Sequence, residues 1–378
     1  MPIDANTIIL YGALAFLALV TPLFNVFFRI RKFKANGIVE QKPPALSVIM
    51  AVHDNANELE RNLPMILAQK YEPGFEVIVV DESSTDDTED VLKRLKKDFP
   101  CLYTTFIPSS SHYLSRHKLA LTIGMKAAHN EWVIITDADC KPNGSNWLTT
   151  MASYCNDSHD IVLGYTNYEP SSKQFQRFER LQAFCYIIHS TMRKSTFRYN
   201  GNNIALRKSE FMAHNGFLAN LKFLRGEYDF IANEYSVSGR TAIAIEADAH
   251  IIQDSPSKKK WDNEHIVYME TRHRLKHGTT YRLLYNTDTF LLHFNYLAQL
   301  AAIIYASITQ NLLFLGCAII CLALTILIRT HVANKALERF GEHITVGAIP
   351  FLEVRIMWQN IIFMLRHLMA NKNDFIRK

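Results

Sequence analysis

Trp132-Val-Ile-Ile-Thr-Asp-Ala-Asp-Cys140 is the stretch of this 378-residue chain on which the fold prediction rests. Its first five residues form an apolar, β-branched run of the kind that is buried in a parallel sheet. Two carboxylates, Asp137 and Asp139, end the run, and the turn sequence Lys141-Pro-Asn-Gly follows. Ligands of open α/β sheets bind at the carboxyl ends of strands. The stretch therefore predicts either a binding site for a hard divalent cation that bridges to phosphate, or a solvated turn rich in aspartate.

The segments before Trp132 alternate between strand and helix patterns. Apolar runs predict strands at residues 46–52 and 75–80, and helical spacing of apolar residues predicts helices at residues 58–69, 88–97 and 119–128. This alternation predicts an α/β fold with a parallel, right-handed, doubly wound sheet. The strands end at His53, at Asp81-Glu82 and at Asp137, so polar groups converge on one edge. The convergence favours the functional interpretation of Asp137 and Asp139.

Composition excludes several classes of protein. The six cysteines have no C-x-x-C spacing, which argues against a disulfide framework or a zinc site and for a reducing compartment. The net charge is only +5, and no polybasic run with interleaved aromatic residues is present, so we expect no nucleic-acid partner. Neither G-x-G-x-x-G after the first strand nor a P-loop occurs. A phosphorylated ligand would therefore be held by metal and basic side chains.

Apolar runs near both ends predict membrane helices. Residues 7–28 carry no charge and are followed by Arg29, Arg31, Lys32 and Lys34, which indicates a retained anchor with its N-terminus outside. Residues 290–309 and 312–328 predict a hairpin of two spans with a break at Gln310-Asn311. The alternative for this region is a pair of buried core helices. Residues 344–378 mix apolar and basic side chains, which is typical of an interfacial amphipathic segment.

The ordered motifs of residues 44–282 resemble a family 2 glycosyltransferase with a GT-A fold. The resemblance rests on motifs at five places: Ser47-Val-Ile-Met-Ala-Val-His-Asp-Asn, Val79-Val-Asp-Glu-Ser-Ser-Thr-Asp-Asp-Thr, His117-Lys-Leu-Ala-Leu, Thr136-Asp-Ala-Asp, and Gly201-Asn-Asn-Ile-Ala-Leu-Arg followed by Gly216-Phe217. It implies a Rossmann-like catalytic domain with transmembrane helices at both ends. It also implies single displacement with inversion at the sugar carbon.

The resemblance assigns a donor-binding role to a set of residues. Asp81 would contact the nucleobase and ribose, and Lys118 would be the basic residue near the donor. Thr136-Asp-Ala-Asp resembles the DXD motif, in which Asp139, with Asp137 on the metal or ribose side, would hold a divalent metal, Mn or Mg. The implied donor-binding residues are His53, Asp81, Glu82, Lys118, Asp137 and Arg274.

Two later motifs depart from the family pattern. An Asp or Glu pair usually opens the helix that carries the general base, but here the stretch is Arg225-Gly-Glu-Tyr-Asp-Phe, with Tyr228 at the second acid. The base is thus Glu227 or Asp229, and we favour Asp229; an acid at a helix N-terminus also has a purely structural explanation. Processive members of the family carry a Q-x-x-R-W motif. At the matching place this chain has Thr271-Arg-His-Arg-Leu275, in which only Arg274 agrees with the motif. Arg274 would pair with the donor diphosphate, unless residues 272–276 are a basic face towards anionic lipids.

These observations predict four segments: an anchor at residues 1–30, a GT-A domain at 31–285, a transmembrane hairpin at 286–330, and an interfacial tail at 331–378. The expected activity is a hexosyltransferase-type transfer from a nucleotide-diphosphate sugar, most plausibly a UDP-sugar, to a lipid-linked or cell-surface glycan in polysaccharide biosynthesis. The expected location is the bacterial inner (cytoplasmic) membrane, with a multi-pass chain and a cytoplasmic catalytic domain. The alternatives are a processive polysaccharide synthase and a non-catalytic nucleotide- or glycan-binding membrane subunit.

Overall fold

A computed structural model describes residues 5–34, 42–110, 114–193 and 195–371 of the chain. The helices are α1 Ala5–Phe24, α2 Val26–Ile30, α3 Ala56–Leu67, α4 Thr88–Asp98, α5 Arg116–Ala127, α6 Trp147–Ala152, α7 Gln174–Arg193, α8 Lys208–Ala213, α9 Glu227–Tyr235, α10 Lys258–Thr271, α11 Thr279–Ile308, α12 Leu312–Arg339 and α13 Ile349–Met369. The strands are β1 Leu46–Val52, β2 Phe75–Asp81, β3 Leu102–Phe106, β4 Trp132–Ile135, β5 Cys140–Pro142, β6 Ile161–Gly164, β7 Thr166–Tyr168, β8 Ile204–Arg207, β9 Thr241–Ala244 and β10 Ile251–Gln253.

A seven-stranded sheet with the order β3-β2-β1-β4-β8-β6-β9 forms the centre of the predicted catalytic domain. Strands β3, β2, β1 and β4 are mutually parallel, as the alternation of strands and helices predicts. β8 then runs antiparallel to both β4 and β6, so the sheet is mixed beyond the strands for which the alternation predicts a parallel arrangement.

Helices cover both faces of the parallel half. Ile49, Ile78 and Val133 face one hydrophobic core with α5 and α7, whereas their neighbours face a second core with α3, α4 and α6. Burial on both faces explains why β1, β2 and β4 are continuous apolar runs. Gly124 permits the close approach of α5, since a Cβ there would lie 2.5 Å from the Ile49 side chain.

A small second sheet holds the end of the Asp137–Asp139 turn in place. Its order is β5-β10-β7, with β5 antiparallel and β7 parallel to β10. β5 begins at Cys140, directly after Asp139, and the Asp254 amide donates to the Asp139 carbonyl at 2.8 Å. The two carboxylates therefore lie on a turn that is fixed by a sheet at each end.

Helices α1, α11 and α12 pack together in an apolar bundle. Its interior includes Leu14, Ala18, Ala306 and Phe314, whereas apolar side chains along all three helices are exposed. The turn at residues 309–311 joins α11 to α12, as the hairpin prediction requires. α11 begins well before the predicted span, because its first turns pack on α7 of the catalytic domain.

Three helical segments of the described chain are long and apolar enough to cross a membrane: Thr279–Ile308, Leu312–Arg339 and Val346–Met369. The apolar helix α1 ends at Phe24, before the end of the predicted apolar run at residues 7–28, and Asn25 separates it from α2.

Helix α13, the main element of the predicted interfacial tail, packs along the catalytic domain. Phe363 contacts the Trp261 ring of α10 with 5.1 Å between centroids, and Arg366 donates to Asp262 of α10 at 2.7 Å. Arg355, earlier in the helix, lies 4.0 Å from the ring centroid of Phe175 in α7. These contacts with the catalytic domain favour an interfacial position over a membrane span, although α13 has the length for either.

Candidate active site

A cavity of about 640 Å³ opens at the edge of the sheet where β1 and β4 end. Its wall is completed by the start of α5, the start of α9, the segment at residues 198–202 and one face of α10. The side chains on which the chemistry depends are His53, Glu82, His117, Asp137, Asp139, Arg180, Arg198, Glu227, Tyr228, Asp229, Lys259 and Lys260. With Glu179 and Glu264, which also line it, the cavity combines seven carboxylates with several cations in one space.

Asp137 and Asp139 both face this cavity and have separate partners. The Tyr228 hydroxyl donates to Asp137 at 2.7 Å, and the side-chain amide of Asn202 donates to its other oxygen. The Lys260 ammonium lies 2.5 Å from Asp139 Oδ2, and Gln253 Nε2 donates to the same oxygen at 2.9 Å. Burial and the neighbouring Asp139 charge raise the pKa of Asp137. Added positive charge at this turn would therefore stabilise the ionised form of Asp137.

The guanidinium of Arg180 fixes the two amides that cap these carboxylates. One of its nitrogens donates to the Gln253 side-chain oxygen, and another donates to Asn202 Oδ1 at 2.8 Å. Because each amide oxygen accepts from Arg180, each amide nitrogen is directed towards an aspartate. Arg180 is buried, and no carboxylate of the described residues forms an ion pair with it. The arginine therefore orients the amides that donate to Asp137 and Asp139 through one fork of hydrogen bonds.

The donor set at the Asp137–Asp139 turn suits a hard divalent cation. Mg²⁺ commonly binds through one or two carboxylates plus substrate phosphates, and Mn²⁺ shares this preference for oxygen. The described residues contain no group of three or more His, Cys, Asp or Glu side chains arranged around one ion. Two aspartates and a phosphorylated ligand would thus have to share the coordination. The raised pKa of Asp137 fits such an arrangement, because a cation relieves the repulsion between the two carboxylates.

His117 lies between two carboxylates on the other side of the cavity. Its Nδ1 is 2.7 Å from Glu82 Oε1, and its Nε2 is 3.1 Å from Glu227 Oε1. Burial alone would lower the pKa of His117, but the charges of Glu227 and Glu82 outweigh it and raise the pKa above its usual value. For Glu227, burial raises the pKa, and the stronger combined effect of His117 and Arg225 lowers it. Glu227 is therefore ionised at neutral pH.

The second oxygen of Glu227 has no hydrogen-bond partner among the described residues. Glu227 Oε2 is buried in the wall of the cavity, whereas Oε1 is held by His117. A buried carboxylate oxygen without a hydrogen-bond donor costs free energy. Its position is explained if the hydroxyl of a bound ligand donates the missing hydrogen bond. This oxygen can accept a proton from a group bound in the cavity.

Asp229 has a different environment. Its Oδ1 accepts from the Tyr199 amide at 2.9 Å and lies 3.4 Å from Arg198 Nε. Burial raises the pKa of Asp229, although Arg198 opposes the shift. The preference for Asp229 over Glu227 as the base stays a prediction from the motif, and the geometry favours Glu227.

The remaining predicted site residues fall into two groups. Glu82 lines the cavity and holds His117, and His53 lies at the exposed rim. Asp81 accepts from the Ser84 amide at 3.0 Å and closes the turn after β2 without lining the cavity. Arg274 is exposed outside the cavity. The structure thus does not bring Asp81 and Arg274 to the cavity wall.

Lys118 binds backbone carbonyls in the protein interior and does not line the cavity. Its ammonium donates to the carbonyls of Asn220 and Phe223, both at 2.8 Å, and its side chain is fully buried. Burial lowers the pKa of Lys118 to about 8. The predicted donor contact of Lys118 therefore does not fit its position, because the helix phase of α5 turns His117 towards the cavity.

Sequence reasoning missed His117, Arg180 and Lys260. The run Lys258-Lys259-Lys260 at the start of α10 was a usable signal, since basic residues at a helix start near a metal motif suit phosphate. Arg180 lies in the middle of α7 and has no motif around it. His117 opens the motif His117-Lys-Leu-Ala-Leu and directly precedes Lys118.

Comparison with known proteins gives matches of three kinds. Residues 47–222 match the family model for glycosyl transferase family 2. The UDP-Glc:alpha-D-GlcNAc-diphosphoundecaprenol beta-1,3-glucosyltransferase WfaP of Escherichia coli is 25% identical over 126 residues, which is 32% of this chain and 45% of the relative. The chain thus matches less than half the length of that curated relative.

The mannosyltransferase PcManGT from Pyrobaculum calidifontis, solved in complex with GDP-Man and Mn2+, has a similar structure. The TM-score is 0.56 at 17% sequence identity, and the match covers 88% of this chain and 97% of that chain. At this identity the likeness concerns the fold. Together with the family match and the mixed sheet that presents Asp137 and Asp139 at its edge, it shows that the chain has the GT-A fold and that residues 47–222 form a domain of glycosyl transferase family 2.

Proposed function

We propose that the chain transfers a sugar from a nucleotide-diphosphate sugar, most plausibly a UDP-sugar, to a lipid-linked glycan acceptor, with Glu227 as the general base. The observation that carries the proposal is the unpartnered Oε2 of Glu227 in the same cavity as Asp137 and Asp139. The relative WfaP is named for a UDP-glucose donor and a diphosphoundecaprenol-linked acceptor, which supports both substrate classes. The apolar bundle of α1, α11 and α12 would place the cavity beside the bilayer that holds such an acceptor.

The reaction requires one bond exchange and one proton transfer. The acceptor hydroxyl oxygen attacks the anomeric carbon of the donor sugar, and the bond from that carbon to the phosphate oxygen breaks with its electron pair leaving on the diphosphate. Glu227 Oε2 takes the hydroxyl proton as the new glycosidic bond forms. A single displacement inverts the anomeric centre.

The leaving diphosphate needs positive charge. A divalent cation, Mn or Mg, held by Asp137 and Asp139 would supply it when bound. Lys260 lies on Asp139, and Lys259 lines the same wall, so both ammonium groups are positioned to contact phosphate oxygens. Lys260 would thus exchange its contact with Asp139 for one with the donor.

The proposed topology follows from the bundle and its flanking charges. Tyr11 of α1 contacts Phe314 beside the hairpin turn, with 5.1 Å between ring centroids, so the start of α1 and the hairpin turn lie at one end of the bundle. The catalytic domain and the basic residues Arg29 and Arg31 lie at the other end. By the positive-inside rule, the catalytic domain is cytoplasmic and the chain is a multi-pass protein of the inner membrane.

The test compares Glu227→Gln with Asp229→Asn in detergent-solubilised protein, using a panel of UDP- and GDP-sugars and an undecaprenyl-diphosphate-linked acceptor. We expect Glu227→Gln to lower kcat by about 10²–10⁴-fold, while nucleotide diphosphate still binds. Glu89→Gln, an exposed change on α4, is the matched control and should retain full activity.

Asp229→Asn should lower thermal stability, because Arg198 loses its carboxylate, and should retain transfer at temperatures where the variant is folded. The proposal fails if Glu227→Gln keeps wild-type turnover, or if folded Asp229→Asn loses transfer while Glu227→Gln does not.

A further inference from the structure

A second cavity, of about 170 Å³, lies between α7, α10 and α13, and the proposed transfer reaction does not use it. Four cationic side chains line it: Lys173, Lys258, Arg355 and Arg366. α10 separates the two cavities. Lys259 and Lys260 of this helix face the active-site cavity, whereas Lys258, Trp261 and Asp262 face the second one.

The charges in the second cavity are unbalanced. Its lining contains one carboxylate, Asp262, which is already paired with Arg366 at 2.7 Å. No ion pair joins Lys173, Lys258 or Arg355 to a carboxylate of the described residues. Arg355 instead lies over the Phe175 ring. Four cationic side chains and one carboxylate thus surround a concave space. Such an excess of positive charge attracts an anion.

The indole nitrogen of Trp261 gives a second, independent indication of a ligand. Trp261 is 6% exposed, and its Nε1 has no hydrogen-bond partner among the described residues. A buried N–H without an acceptor costs free energy, and buried Trp nitrogens usually find a partner. Trp261 lines the second cavity, so an anion bound there could accept from this nitrogen.

The surroundings of the second cavity indicate which anion it suits. The apolar side chains Phe351, Trp358, Ile361, Leu365 and Leu368 of α13 are all exposed and recur at helical spacing. Ile362, which lines the cavity, is 42% exposed beside this stripe. An amphipathic helix with an exposed apolar stripe and basic flanks lies in the bilayer interface, at the depth of the lipid phosphates. The ligand chemistry is thus a phosphate that carries an apolar tail.

We propose that the cavity between α7, α10 and α13 binds the phosphate of an anionic phospholipid headgroup. Lys173, Lys258 and Arg355 supply the charge, Trp261 Nε1 donates to one phosphate oxygen, and the acyl chains extend along the apolar stripe of α13. The lipid would then hold α13 and α10 together at the membrane surface. The site is independent of the proposed reaction, because it lies on the face of α10 that points away from the active-site cavity.

The experiment counts lipids bound to the full-length protein in detergent by native mass spectrometry during titration with short-chain phosphatidylglycerol. Parallel titrations use short-chain phosphatidylcholine and inorganic phosphate. The test variant is the double change Lys258→Gln and Arg355→Gln. The control, Lys93→Gln with Arg94→Gln, removes two exposed charges from α4.

We expect one saturable phosphatidylglycerol site in the wild type and the control, and at least about tenfold weaker binding in the double variant, since two charge-assisted contacts are lost. Trp261→Phe keeps the ring and removes only the donor, so it should weaken the same site by about threefold to tenfold. Its thermal unfolding should match that of the wild type.

Unchanged phosphatidylglycerol binding in the double variant would overturn the proposal. Equal binding of phosphatidylcholine would do the same, because the site would then recognise only apolar chains. If inorganic phosphate binds as tightly as the lipid, the site is one for free phosphate and the lipid proposal is wrong.

Discussion

Glu227 and Asp229 lie two residues apart, yet their carboxylates have different neighbours. Asp229 accepts a backbone amide and faces Arg198, so its oxygens contribute to the wall of the cavity. Glu227 is held through Oε1, and its Oε2 has no donor within the part of the chain that the structure describes. A general base needs an ionised oxygen that is free to accept a proton, which is why we propose Glu227 for this role. Tyr228 stands where the family has its second acid, and its hydroxyl donates a hydrogen bond to Asp137.

The pH dependence of stability should report the position of His117 between Glu82 and Glu227. The pKa of His117 is raised above its ordinary value of 6.5, so the folded protein holds this proton more tightly than the unfolded chain. The resulting stabilisation is fully present below pH 6.5 and is lost as the pH rises through the raised pKa. We expect the apparent Tm of the wild type to fall more between pH 6 and pH 9 than that of His117→Gln. Parallel Tm curves in differential scanning fluorimetry would contradict this.

Arg180 should act on the metal-motif carboxylates through Gln253 and Asn202. Arg180→Lys keeps the charge, but a single ammonium cannot reproduce the planar fork that orients both amides. We expect kcat/KM to fall by about 10–100-fold, with a higher divalent-cation concentration needed for half-maximal activity. Arg240→Lys, at an exposed pair with Asp160, is the control and should leave both values unchanged. A loss of kcat/KM without any shift in the cation titration would mean a merely structural role.

At the residue scale, sequence could predict the carboxylates but not their partners. Asp137, Asp139 and Glu227 lie in recognisable local patterns. Gln253 and Arg180 reach the same turn from residues far away in the chain, so only the fold brings them together. The motif predicts Lys118 near the donor, but the structure turns the neighbouring His117 to the cavity, because one step along a helix turns a side chain by about 100°.

Among the elements, the continuous apolar strands were the most predictable. β1 has the predicted bounds, and β2 exceeds its prediction by one residue, because buried parallel strands are marked by unbroken apolar runs. β3, Leu102–Phe106, lies at the edge of the sheet and mixes polar with apolar residues, so its pattern is weak. The short strands β5, β7 and β10 have three residues each, too few for any periodicity.

The attachment of α13 to α10 should depend on Phe363. This side chain is fully buried against the rings of Trp261 and His265. Phe363→Ala should destabilise the packing by about 3–5 kcal/mol and expose residues 349–369 to protease. Phe351→Ala on the same helix is the matched control, since Phe351 is 77% exposed and should have little effect. Limited proteolysis with thermal unfolding checks both, and equal cleavage of the two variants would exclude the proposed anchoring role.

Across the whole molecule, one charge cluster joins the apolar bundle to the catalytic domain. Arg329 of α12 is fully buried and pairs with Asp288 of α11 at 2.8 Å and with Glu353 of α13 at 3.0 Å. Asn25, between α1 and α2, donates to Glu353 at 2.7 Å, and Tyr186 of α7 donates to Asp288 at 2.8 Å. Sequence predicted the apolar spans from composition, but this cluster joins groups up to 328 positions apart and was not predictable.

Removing Arg329 should therefore separate the bundle from the catalytic domain. Arg329→Met leaves two buried carboxylates without their cation, which costs about 3–5 kcal/mol. Adding Asp288→Asn and Glu353→Gln removes the unpaired charges and should restore most of the lost stability, because neutral amides can still accept from Asn25 and Tyr186. Lys335→Met, at an exposed pair on the same helix, should leave stability unchanged. Thermal unfolding of the detergent-solubilised variants measures these effects. Two results would show that the charges of the cluster do not hold the two parts together. The first is an Arg329→Met variant as stable as Lys335→Met, and the second is a triple variant less stable than Arg329→Met alone.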